Sequence, residues 1–337
     1  MEKYTRRRFL QQSFYFSAYL LVGRTAEKLS GQAVSRVHVA PDSHHLFAFG
    51  DWGQESSEVQ QKAVAQAMQE YVAVNNLRVE NLLLLGDNWY GWLFGGSNSG
   101  RWKKQFEEMY PASIFPGKCY ALLGNHDYEH RPGNKVRAQL KYAARNQSRW
   151  TMPAKWYTFS FPESEPLVRF IALDSNYPEG GHFFNTPTLK KEEVAAENAW
   201  LQAELAKPSP APYTTFISHH PIFSNGDHGD TPALIRDWEP LLREHRIHLY
   251  LCGHDHDLQH LEFHDSPTSY VISGGGGATL RNLKRNPSTR GPYGLKVAGF
   301  THIEVNRSQM TIRLVDSRGQ VLHGFRKYPD GQVALLR

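Results

Sequence analysis

The 337-residue chain is 40% hydrophobic and 21% charged, the balance of a globular protein rather than a disordered or fibrous one. Its formal net charge of +5 is concentrated in residues 1–33, which hold six of the 38 Lys/Arg and two of the 33 Asp/Glu. The remainder, 32 basic (38 less 6) against 31 acidic (33 less 2) residues, is nearly neutral, so a nucleic-acid partner is not expected.

Residues 1–33 read as a leader. A basic start is followed by an apolar stretch from Ser13 to Gly23, too short to span a bilayer comfortably. The run Thr5-Arg-Arg-Arg-Phe-Leu10 resembles the twin-arginine export signal. The expectation is a protein exported folded to the periplasm or beyond. Gly31-Gln32-Ala33 is a weak cleavage candidate, and contact with a membrane is confined to the leader if it stays uncleaved. The two cysteines, Cys119 and Cys252, lie in apolar runs and read as buried free thiols, although one disulfide is compatible with export.

After the leader, apolar runs and helical patterns alternate. "LFAFGD" (46–51) reads as a strand, Glu55–Asn76 as a helix, "NLLLLGD" (81–87) as a strand and Arg101–Met109 as a helical piece. Strands follow at "CYALLGNHD" (119–127), Trp156–Phe161 and Val168–Asp174, then a helix over Thr188–Ala206 stopped by Pro208. "TTFISHHP" (214–221) is a strand, Thr231–His245 a helix and "HLYLCGHD" (248–255) a strand. From Ser269 the pattern is strand after strand. This is β-α-β order ending in a meander. One domain over 40–337 is the economical division, and its size favours two packed sheets over one.

Polar clusters recur where these strands end: Gly50-Asp51-Trp52-Gly53, Gly86-Asp87-Asn88-Trp89-Tyr90, Gly124-Asn125-His126-Asp127, Ser218-His219-His220-Pro221 and Gly253-His254-Asp255-His256. In open α/β sheets that edge is where sites assemble. A lone Gly-Asp after a strand is more often a turn, and a His-His pair is mostly surface or core histidine. Together they offer aspartates, an asparagine and at least three histidines without thiolate, a donor set suited to Fe, Mn or Zn. Tyr90, three residues after Asp87, either caps the core with its ring or brings a phenol oxygen to the chemistry.

With these motifs, covering Phe47 to Gln259, the chain resembles the calcineurin-like metallophosphoesterases, and within them the small, tartrate-resistant type of purple acid phosphatase. The resemblance implies a four-layer α/β/β/α sandwich of two mixed sheets flanked by helices. The superfamily usually opens with Asp-x-His; here Gly53 stands where that histidine would be. A metal short of one ligand can take Tyr90 instead, and this paired exchange distinguishes purple acid phosphatases from their relatives. Carried over residue by residue, Asp51, Asp87, Tyr90 and His256 would bind Fe(III). Asp87 would bridge to Fe(II), Zn(II) or Mn(II), held also by Asn125, His219 and His254. His219 is preferred to His220 because family ligands stand two residues before a proline, here Pro221. A phenolate near neutral pH calls for a strongly acidic cation, which favours Fe(III).

The resemblance further implies hydrolysis of phosphomonoesters in acid, with metal-bound hydroxide attacking phosphorus in line. His126 and His228 match histidines that would serve the leaving oxygen; a purely structural hydrogen bond is the other reading of each. Two rival functions remain open: a dimetal phosphodiesterase of the same superfamily, and a metal-binding protein without turnover. "SGGGG" (273–277) is a tight turn or an anion nest. "WYGWLFGGSNSGRW" (89–102) is pocket wall or loop packing.

Overall fold

The computed structural model describes residues 33–54, 58–129, 135–178 and 188–336. The expected leader lies outside the described residues. The chain lays down part of one sheet, builds a second, and returns to finish the first. β1 (His44–Phe49), β2 (Val79–Leu84), β3 (Cys119–Ala121) and β4 (Trp150–Thr151) are parallel neighbours. β5 (Tyr157–Phe161), β6 (Val168–Ala172), β7 (Tyr213–Ile217), β8 (Leu249–Cys252), β9 (Leu258–Leu261), β10 (Ser269–Ser273) and β11 (Tyr293–Leu295) make the second sheet, in the order β11-β9-β10-β8-β7-β6-β5. β12 (Gly299–Val305), β13 (Met310–Asp316), β14 (Val321–Lys327) and β15 (Val333–Leu335) then add antiparallel to the far side of β1.

Both sheets are mixed, and their central strands are parallel. β6, β8 and β10 are buried along their whole length, which explains why they are mostly apolar on both faces rather than alternating. Helix α1 (Val59–Asn75) packs on the first sheet through Tyr71, whose ring meets Phe47 and Phe300 and whose hydroxyl lies 3.2 Å from His302 Nδ1. α2 (Lys135–Ala143) follows the third strand-end loop. α3 (Lys191–Leu205) covers the second sheet, where Glu204 meets Arg169 of β6 at 2.8 Å and Glu197 accepts from the Asp174 N–H. α4 (Pro232–Asp237) and α5 (Glu239–Glu244) dock through Trp238, which donates to the Tyr177 hydroxyl. The expected sandwich of two mixed sheets with helices is the architecture observed.

The sheets are joined close to their strand ends. Gly50 N donates to Ser273 O, Ser273 Oγ to Ala48 O, and Tyr157 Oη to Ala121 O. The C-terminal ends of β1, β2 and β3 are thereby brought against those of β7 and β8.

Some local expectations needed correction. The segment 270–277 is not part of the terminal meander, because β10 lies in the second sheet, parallel to β8. The helix expected over 231–245 breaks at Trp238; Pro240 has no N–H to continue it and its ring would crowd the carbonyl four residues back. The strand expected over 119–127 ends at Ala121, and Asn125–Tyr128 forms a 3₁₀ turn. β4, β9, β11, β15 and α2 carried too little periodicity to be foreseen. Cys119 and Cys252 are buried free thiols. No described helix is long and apolar enough to cross a membrane.

Candidate metal centre

Three of the five strand-end loops turn sharply at their polar residue. Asp51, Asp87 and His254 all sit in the left-handed region, with φ of 61°, 50° and 70°. Non-glycine residues adopt it at a cost, and such strain clusters at functional sites. Gly124 is required here: a Cβ on it would stand 2.1 Å from Asp87 Oδ1.

The nine residues singled out in the sequence form one connected group. Tyr90 Oη lies 3.3 Å from Asp51 Oδ1 and 3.2 Å from His256 Nε2, and those two are 3.4 Å apart. His219 Nε2 lies 3.5 Å from Asp87 Oδ2, 3.1 Å from Asn125 Oδ1 and 3.2 Å from His254 Nδ1. His126 N donates to Asp87 Oδ1, and its ring packs on Tyr90 with centroids 4.2 Å apart. The His228 ring packs on His254 at 4.0 Å. Donor atoms of Asp51, Asp87 and His219 all lie within 4.8 Å of one another, as do those of His219, His220 and His254. His219 belongs to both sets. His220 is tied to Ser175 Oγ through Nδ1 at 2.9 Å.

The ring nitrogens that face the group are set by bonds on the opposite side. His219 Nδ1–H donates to Leu85 O at 2.9 Å and His256 Nδ1–H to Thr279 O at 2.6 Å, leaving each Nε2 turned inward. Asp255 fixes His228 through Nδ1 at 2.9 Å, and Glu129 fixes His126 through Nδ1 at 2.6 Å.

Charge and burial say what the group can hold. Asp51 and Asp87 are at most 1% exposed, and among the described residues neither pairs with a lysine or arginine. Burial pushes the Asp87 carboxyl up, but the His219 and His126 rings outweigh it and hold the group well below the usual carboxylate range. Burial works against a charged His219, yet Asp87 and Asp51 hold its pKa well above the ordinary value. Burial, then Asp87 and Asp51, drive the Tyr90 phenol well above 10. Two buried carboxylates facing neutral-capable imidazoles and a phenol call for positive charge from elsewhere. Oxygen and nitrogen donors without thiolate fit hard or borderline cations, so the residues present suit a pair of metal ions.

Gly53 explains the exchange with Tyr90. A Cβ on Gly53 would stand 1.7 Å from Asn88 O, so no side chain, histidine included, fits this backbone. Its carbonyl instead accepts from Tyr90 N at 2.9 Å and so fixes the tyrosine.

Several supporting residues escaped the sequence reading. Asp127 accepts from the N–H groups of Gly124, Asn88 and Trp89 and pins two loops together. It stood in the Gly-Asn-His-Asp run already noted, and a carboxylate three residues after a glycine at a strand end was the available signal. Asp255, between the two ligand-type histidines in sequence, holds the His228 ring instead of either neighbour. Arg101 and Lys135 gave no local signal, because most of the groups they hold are backbone carbonyls.

Residues 36–258 match the family described as calcineurin-like phosphoesterase; the chain belongs to that family. Within it, the chain is similar to tartrate-resistant acid phosphatase type 5 of Mus musculus, 30% identical over 292 residues that cover 82% of this chain and 87% of that one. The motif-based resemblance is thus borne out. Among solved structures the chain is similar to GAP50, the anchor in the inner membrane complex of Plasmodium, with TM-score 0.69, 23% identity and coverage of 84% and 87%. It is also similar to purple acid phosphatase PPD1 of yellow lupin (Lupinus luteus), with TM-score 0.64, 15% identity and coverage of 87% and 55%. At such identities these structures speak to the fold alone.

Proposed function

We propose that the protein is an acid phosphatase that hydrolyses phosphomonoesters at a dinuclear centre. Fe(III) would be held by Asp51, Asp87, Tyr90 and His256, and Fe(II), Zn(II) or Mn(II) by Asp87, Asn125, His219 and His254. The observation that carries this reading is the Tyr90 oxygen between Asp51 and His256, beside a glycine that cannot carry a ligand. When bound, the two cations would offset charge on the phosphoryl oxygens and supply an acidified water.

The chain's own groups do the rest. Asp87, fixed by the His126 N–H, would be the ligand shared by both ions. His126, oriented by Glu129, presents Nε2 3.9 Å from Asp87 Oδ2, where it can bind a phosphoryl oxygen or pass a proton to the leaving oxygen. His228, oriented by Asp255, offers a second imidazole beside His254. The reading extends to export by the twin-arginine route, on the strength of Thr5–Leu10.

The test is metal analysis, a visible spectrum and phosphate release by purified protein alongside a Tyr90→Phe variant. At least one equivalent of iron, a visible phenolate-to-iron band and its loss in the variant with iron retained are expected. A band unchanged in Tyr90→Phe refutes the role of Tyr90. A colourless Mn or Zn protein that cleaves diesters faster than monoesters replaces the reading with the phosphodiesterase one. Metal-loaded protein that releases no phosphate at any pH leaves a binding protein.

A further inference from the structure

Helix α2 carries a lysine that water does not reach. Lys135 is 0% exposed. A buried ammonium persists only where hydrogen bonds and a counter-charge replace its water. A helix that needed no more than an anchor at this point would be served as well by an apolar side chain of the same length. What the ammonium touches accounts for its being there.

Its three N–H groups have three acceptors. Nζ donates to Trp89 O at 2.9 Å, to Gly91 O at 3.1 Å and to Glu129 Oε2 at 3.2 Å. The first two acceptors flank Tyr90, and Arg101 holds Tyr90 O between them at 2.9 Å. Peptide groups are planar, so fixing these three carbonyls fixes the planes on both sides of the Tyr90 Cα, and with them the direction of its Cα–Cβ bond. The third bond reaches the other side of the site. Glu129 turns its second oxygen, Oε1, to His126 Nδ1 at 2.6 Å. It is the one carboxylate paired with Lys135 among the described residues. The His126 and Tyr90 rings meet between these two arms, with centroids 4.2 Å apart and planes at 38°. One buried ammonium therefore spans the backbone that carries Tyr90 and the carboxylate that orients His126.

We propose that Lys135 is a positioning residue that ties Tyr90 to His126, so that the iron-binding oxygen and the imidazole serving the leaving oxygen keep one relative placement. This rests on the phosphatase reading above. A change at Glu129 reaches Tyr90 through Lys135. A change at Lys135 reaches the leaving oxygen through Glu129 and His126. Misalignment of a proton donor slows esters with poor leaving groups, which need the proton, and spares those with good ones.

The experiment uses the full chain, metal-free and iron-loaded, as wild type, Lys135→Met, Glu129→Gln and the double variant. The tyrosines are labelled as 3-fluorotyrosine, and Tyr90→Phe assigns the Tyr90 fluorine signal. In metal-free protein, Glu129→Gln is expected to move that signal in the wild-type background and to leave it in place in the Lys135→Met background. In iron-loaded protein, kcat for a series of substituted phenyl phosphates is expected to fall in Lys135→Met about tenfold more for leaving groups of high pKa than for those of low pKa. Equal losses across the series overturn the proposal. So does a signal that Glu129→Gln never moves, or one that it moves equally in both backgrounds, as transmission through the ring contact alone would. Lys135→Gln takes the place of Lys135→Met if that variant does not fold. If wild type releases no phosphate, the phosphatase reading has failed, and the fluorine signal alone decides the coupling.

Discussion

Adding one methyl group at Gly53 should dismantle the candidate centre without altering any proposed ligand. The new Cβ of Gly53→Ala would lie 1.7 Å from Asn88 O and 2.4 Å from Asn88 C. An ordinary carbon-oxygen contact requires a retreat of roughly 1.5 Å. Asn88 cannot retreat alone. Its N–H is held by Asp127, its side chain by Leu122 O, Gln139 and the Trp52 indole, and the next residue but one is Tyr90. The displacement passes to Asp87 on one side and Tyr90 on the other, where metal ligands tolerate only about 0.2 Å. Backbone overpacking of this kind costs about 3 kcal/mol, a fall in Tm of roughly 4 °C for a chain this size. Iron affinity should drop by about tenfold to a hundredfold. Gly100→Ala is the control, since a Cβ there meets nothing within 4 Å. Thermal melting, iron content and the visible spectrum are the readouts. A Gly53→Ala protein that melts and colours like wild type would refute the argument that Gly53 and Tyr90 are mutually required.

Arg101→Met should lower stability by about 3 kcal/mol, one for each of the carbonyls of Gly53, Tyr90 and Trp92 left without its charged donor. The visible band should shift or weaken even at full iron loading, with partial recovery in Arg101→Lys. Asp127→Asn places an amide donor against N–H donors it now accepts from, so melting should fall by a few degrees, at about 1–3 kcal/mol. Acid stability should depend on His323. Burial, and then His260 at 2.9 Å, lower its pKa from 6.5 to about 4. The folded state thus binds fewer protons than the unfolded one between those values, and stability falls as pH drops from 6.5 towards 4. The loss is about 3 kcal/mol at full burial and about 1–2 after allowing for partial exposure. His323→Gln should flatten that part of the Tm-against-pH curve, whereas an unchanged slope would assign the acid sensitivity elsewhere.

The sequence by itself determined the strands that carry the site and the residues at their ends. Apolar runs closed by Gly-Asp, Gly-Asn-His-Asp or Gly-His-Asp-His are local signals, because a buried parallel strand needs continuous apolar residues and its end needs a turn. The missing histidine at 53 and the tyrosine at 90 were likewise legible as a pair. Tertiary structure alone decided why they belong together, since the contact between the Gly53 and Asn88 backbones joins loops 35 residues apart (88 less 53). It also decided which sheet received β10, where the helix at Pro240 broke, and how Arg101, Lys135 and Asp127 hold the loops. Those bonds end on backbone carbonyls and N–H groups, which every residue carries, so no side-chain pattern along the chain could announce them.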